Sequence, residues 1–229
     1  MKPLITQPST TSTTSKEASR ASEVYEYAFR SVQSFIDLFT AEKRRRGSKR
    51  GILPQAEQDL LRAALTFACA GLDSVLKHAI RDCITNILSS DTEVEKRFAE
   101  FIEKKISPSA TGVTGLRFLS QILAKPDIWG ALVDSYIGFL VGSSLQSEDE
   151  VFRVCAALGI DPKSIVLKRG SHRHIFVVRN EVIHEMDIDL AARPGKRITR
   201  GQRDMLDAIN LTLKLARDFV IAVDKKINA

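Results

Sequence analysis

The stretch VVRNEVIHEMDID, Val177 to Asp189, sets a guanidinium, an amide, an imidazole and several carboxylates among valines and isoleucines. An imidazole exchanges protons near neutral pH, and a guanidinium is a permanently charged fork that fits oxyanions. Such a set suits proton transfer beside a charged oxygen. Fully buried polar side chains cost free energy unless paired, so Arg179, Asn180 and His184 need partners or solvent. On a helix turning roughly 100° per residue, Ile175, Val178, Val182 and Met186 share a face that packs. Asn180, His184 and Asp187 gather on the opposite side. Arg179 lies to the flank, with a stem long enough to swing its charge toward them. The competing reading of the same pattern is a buried hydrogen-bond network that only fixes packing. An Arg–x4–His spacing also joins Arg169 to His174, but Gly170 and Ser171 make a poor helix interior there. His78 and His172 read as ordinary core or surface histidines.

The elements that position this set are all helical. Residues 1–18, MKPLITQPSTTSTTSKEA, lack an apolar face and read as a disordered Ser/Thr-rich tail, leaving 19–229 as a single domain. A first helix begins near Ser22 and ends at the basic run EKRRRGSKR, Glu42–Arg50. That run reads as a solvated interhelical loop, with Arg44, Arg45 and Arg46 as candidate RNA contacts. Pro54 opens a long second helix. On it Asp73, Lys77 and Arg81 fall at i, i+4, i+8, the spacing of a salt-bridge ladder, and Gly71 is a possible bend. Shorter helices follow near 92–106, 113–124, 128–143 and 147–158, the last capped by Ser147. Trp129, Tyr136 and Phe139 read as packing aromatics, not as a stacking platform. The final helix carries the cleanest pattern, Leu206, Ile209, Leu213, Ala216, Val220, Val223 and Ile227. That seam suits in-chain packing or a second copy, and Thr199 with Gln202 forms a capping box before it. No segment alternates with period two. The fold expected is an all-α helical bundle of about eight helices.

Bulk properties set the bounds. The chain has 229 residues, 44% hydrophobic and 27% charged, enough for one sizeable core. Its net charge of +6 is compatible with a polyanionic partner, though only as a weak signal. Cys69, Cys83 and Cys155 form no CxxC pair and read as core thiols, not a disulfide framework or a metal site. Lys2 has no apolar stretch behind it, and no run is apolar enough to span a bilayer, so a cytoplasmic protein is expected.

RNEVIHEMDID resembles the R-(N/H/D)-x-x-x-H signature of the HEPN superfamily, all-α domains that are often metal-independent ribonucleases. The segment DLAARPGKRITRGQRDMLDAINLTLKLARDFVIAVD is similar to the turn and last helix after that motif in bacterial members of the RiboL-PSP type. LLRAALTFACAGLDSVLKHAIRD resembles their long early helix with its Leu-Asp pair, and SSLQSEDEVFRVCAALGIDP belongs to the same likeness. Together these cover most of residues 53–224. The resemblance implies an endoribonuclease in which the RNA 2′-hydroxyl attacks the adjacent phosphate, leaving a 2′,3′-cyclic phosphate. Arg179, Asn180 and His184 would be catalytic. Glu181, Asp187 and Asp73 would support them, with Asp187 more an interhelical or capping partner than a tuner of His184. It implies no metal and no cofactor, an RNA substrate, a homodimer whose two motifs face one cleft, and a toxin–antitoxin, abortive-infection or phage-defence setting with an antitoxin or defence partner. The alternative is a non-catalytic helical module for RNA binding or dimerisation.

Overall fold

The computed structural model describes residues 13–47, 52–107, 114–165, 170, 173–189, 191 and 196–229. The first helix, α1, runs Lys16–Arg46. Ser15 caps it by accepting from the Ala18 N–H at 3.3 Å, Glu17 sits in the first turn, and Lys43–Arg46 fill the last. Charges so placed oppose the helix dipole at both ends. α1 therefore begins within the segment expected to be a tail, and the reason is tertiary. Asp224, near the other end of the chain, accepts from the Ser15 N–H at 2.8 Å and the Ser15 hydroxyl at 2.6 Å. Ala18 and Ala21 are fully buried. Residues 1–12 lie outside the described residues. At its far end α1 takes up Glu42–Arg46, expected as loop; 48–51 also lie outside the described residues.

The second helix, α2 (Gln55–Leu88), is the axis of the molecule. Leu61, Leu65, Leu72, Leu76, Ile80 and Ile84 are completely buried along it, between α1 on one side and α8 (Gln202–Ile227) on the other. Burying each such side chain contributes roughly 1.5–3 kcal/mol. Gly71 is a point of close approach: a Cβ there would sit 2.3 Å from the Cβ of Ala28 on α1. The apolar seam of α8, Leu206 through Val223, is buried inside the chain, as core. The Thr199–Gln202 box is not formed. Gly201 holds the N-cap position without a side-chain bond, and the Gln202 Oε1 accepts from Lys43 Nζ at 2.7 Å.

Between these long helices lie α3 (Thr92–Ile106), α4 (Thr114–Leu123), α5 (Ile128–Val141) and α6 (Glu148–Ala157). Asp91, Asp127 and Ser147 cap α3, α5 and α6 by accepting from first-turn N–H groups. α3 and α5 join through rings: Phe98 lies 5.3 Å from Tyr136, and Phe101 lies 5.0 Å from Tyr136 and 5.1 Å from Phe139. A 3-10 turn, Pro162–Ile165, packs on α8. Then come α7 (Arg173–His184) and a two-residue hairpin in which β1 (Ile188–Asp189) pairs antiparallel with β2 (Lys196–Arg197). Among the described residues the chain is thus an all-α bundle of eight α-helices, with three free, buried cysteines. None of the described helices is long and apolar enough to cross a membrane.

Candidate functional site

α7 is anchored by Ile175 and Phe176, both buried, while Asn180 and His184 are exposed and Arg179 is half-buried. The i, i+4 spacing puts Asn180 and His184 on one line of the helix surface. The Arg179 stem bends toward that line: its Nη1 donates to Asn180 Oδ1 at 2.8 Å. Its Nε is buried and has no acceptor among the described residues. The arginine also lies near α2. Burial pushes the Cys69 thiol up to about 11, while a Thr212 hydrogen bond and the Arg179 charge pull the other way. The guanidinium is therefore held between the core and the exposed amide, not freely displayed.

The helix expected to continue to Asp187 stops at His184. Met186 and Asp187 both take the left-handed conformation, with φ of 52° and 57°, and the Asp187 N–H donates to the Glu181 carbonyl at 2.9 Å. Left-handed backbone is costly for ordinary residues, and what holds it is an ion-pair cluster. Asp187 is completely buried. Its carboxylate accepts from Arg62 Nε of α2 at 2.7 Å and from Arg200 Nη2, just before α8, at 2.6 Å. Burial by itself would raise the Asp187 pKa, but the bonds from Arg200 and Arg62 override it and hold the group below the usual carboxylate range. Arg62 also donates to the Ile198 carbonyl and to Asp59, and Arg197 of β2 pairs with Asp59 at 2.9 Å. The turn also swings Met186, expected on the packed face, out to 62% exposure.

The supporting residues thus have other occupations. Glu181 is bonded to Arg200, not to His184. Asp187 does not share the Asn180–His184 face; it clamps three elements together, the interhelical role foreseen for it. Asp73 accepts from Lys77 Nζ at 2.9 Å and from the Leu145 N–H at 2.6 Å, tying α2 to the segment before α6. Of the basic trio, Arg46 makes a two-point pair with Glu57, at 2.6 and 3.1 Å, and Arg45 pairs with Glu42. Arg44 stands exposed in the last turn of α1. Arg62, Arg200 and Asp59, which carry the clamp, escaped the sequence reading. The only local signal was the i, i+3 spacing of Asp59 and Arg62. Among the described residues no cluster of His, Cys, Asp and Glu could hold a metal ion. Comparison of the chain with protein-family models, with curated proteins and with solved structures finds nothing that matches.

Proposed function

We propose that the chain is a metal-independent endoribonuclease of the HEPN type, acting as a homodimer on RNA. One observation carries the reading. The guanidinium of Arg179 is fixed against Asn180, on the same line as the exposed imidazole of His184, while the neighbouring carboxylates Glu181 and Asp187 are taken up by Arg200 and Arg62. A cation, an amide donor and an imidazole are left for an oxyanion, with Glu185 the exposed carboxylate next to His184 in sequence.

In the reaction His184 takes the proton of the 2′-hydroxyl as that oxygen attacks the adjacent phosphorus, and the bond to the 5′-oxygen breaks. The leaving oxygen needs a proton in return, which the histidine of the second copy supplies. Arg179 balances the charge growing on the non-bridging oxygens, and Asn180 fixes the guanidinium. The exposed surface of α7 favours a second copy: Val177 (45% exposed) lies three and seven residues before Asn180 and His184, and Met186 stands out beyond them. Apolar groups rimmed by polar ones suit a protein interface. Such an activity fits a toxin or defence module restrained by a partner protein.

The test is cleavage of RNA by purified protein in the presence of chelator, with the product ends identified. Wild type yields 2′,3′-cyclic phosphate ends, while His184→Ala and Arg179→Ala keep their helical spectrum and lose roughly 10²–10⁴-fold in rate. Equal cleavage by all three overturns the proposal. RNA retention without cleavage, indifferent to His184→Ala, is the outcome of the alternative, a non-catalytic binding or dimerisation module. The clamp of Asp187 favours that alternative only in showing that part of the polar stretch serves the fold.

A further inference from the structure

A second site lies away from α7, in a cleft of about 440 Å³ between α3, α5 and α6. None of Arg179, Asn180 and His184 lines it. The volume falls in the range of roughly 300–1,000 Å³ typical of small-molecule sites. Its charged lining is lopsided: Arg97, Lys104, Lys105 and Arg153 face a single carboxylate, Glu100. Glu150 at the margin is bonded to Arg153.

Interleaved with the cations are rings. Phe101 and Tyr136 are buried, but Phe139 is 46% exposed although it belongs to the same cluster. It packs on Phe101, as its sequence suggests, and leaves the rest of its ring open to the cleft. The Arg153 guanidinium lies over the Phe139 ring, 5.6 Å from its centre, and Lys105 Nζ lies 5.6 Å from the centre of Phe101. Arg153 is held in place by the Leu140 carbonyl at 3.3 Å and the Ser143 hydroxyl at 3.2 Å. A fixed guanidinium stacked on a half-open ring offers a flat cationic surface to an aromatic base. The Tyr136 hydroxyl feels the charges of Arg97 and Arg153. Burial raises its pKa, so at neutral pH it remains a donor.

We propose that this cleft is a nucleotide-binding pocket, holding an aromatic base against Phe139 and Arg153 and its phosphate among Arg97, Lys104 and Arg153. A free nucleotide and a single unit of an RNA strand share this chemistry, and the two are separated by titration. Calorimetry on the full chain uses AMP, adenosine, inorganic phosphate and a short oligoadenylate as probes. Saturable binding of AMP, tighter than adenosine or phosphate alone, supports the pocket with a free nucleotide as occupant. Binding of the oligoadenylate alone supports it with a strand unit as occupant, provided the variants below weaken it. Phe139→Ala weakens binding roughly 5- to 150-fold, Phe139→Trp retains it, and Arg97→Ala with Lys104→Ala weakens it about tenfold or more. AMP binding in the cleft is read apart from RNA cleavage at α7, so failure here is separable from failure of the cleavage reading. No binding of either probe, phosphate binding as tightly as AMP, or affinities unmoved by Phe139→Ala and by the paired Arg97 and Lys104 changes overturns the proposal.

Discussion

Asp187 shows how one residue can serve the fold inside a motif that reads as chemistry. Its buried carboxylate joins Arg62, itself only 4% exposed, to Arg200, so removing it takes the shared buried partner from both and leaves Arg62 to Asp59 and Arg200 to Glu181. Breaking a buried pair from one side costs about 3–5 kcal/mol. Asp187→Asn is expected to lose stability on that order in urea unfolding at neutral pH, whatever happens to His184. The acid side tests the same clamp. Because the folded pKa of Asp187 lies below its unfolded value, the clamp's stabilisation is complete above the ordinary carboxylate pKa of about 3.9. It fades as pH falls through the lower folded value. Wild type should therefore show a decline in unfolding midpoint below about pH 4 that is smaller in Asp187→Asn. An identical decline in both would remove the clamp from the account. The proton-transfer residue behaves differently: His184 is exposed and ends its helix, so His184→Ala is expected to change rate and leave the unfolding midpoint nearly unmoved.

The long helices α1 and α2 are held together by shape as much as by area. Gly71 faces Ala28, and the 2.3 Å separation that a Cβ would have leaves no room for a methyl. A helical Gly→Ala change ordinarily gains up to about 1 kcal/mol. Here overpacking against a short, rigid side chain should reverse the sign, with a net loss of about 1–3 kcal/mol. Pairing it with Ala28→Gly makes space on the other helix and should recover part of that loss in a double-mutant cycle. The start of α6 was legible because caps are local: Ser147, like Asp91 and Asp127 at the starts of α3 and α5, acts within three residues of the N–H groups it satisfies. The start of α1 was not. Ser15 is held by Asp224, 209 residues away, and no local pattern encodes that bond. For the same reason the expected Thr199–Gln202 box gave way to a contact between Gln202 and Lys43.

At the scale of the whole molecule, the seam of α8 is used up inside the chain, and the second copy proposed above is placed at the α7 surface. Val177→Glu with Met186→Glu adds charge to two exposed apolar positions without touching the core. It is expected to shift a dimer to monomer in light scattering and to lower RNA cleavage in parallel; an unchanged mass would place any dimer contact elsewhere. The apolar periodicity of α2 and α8, the cap of α6, and the burial of all three cysteines were readable from the chain alone, because helical spacing and capping act over a few residues. So was the placing of Asn180 and His184 on one exposed face of α7, with Arg179 at its flank. Tertiary structure alone decided that Asp187 and Glu181 answer to arginines on other elements, and that α7 ends at His184. It alone opened Phe139 to a cationic cleft. Those outcomes depend on charges and rings brought together from distant parts of the chain, where electrostatic pairing and packing outweigh what each local sequence prefers.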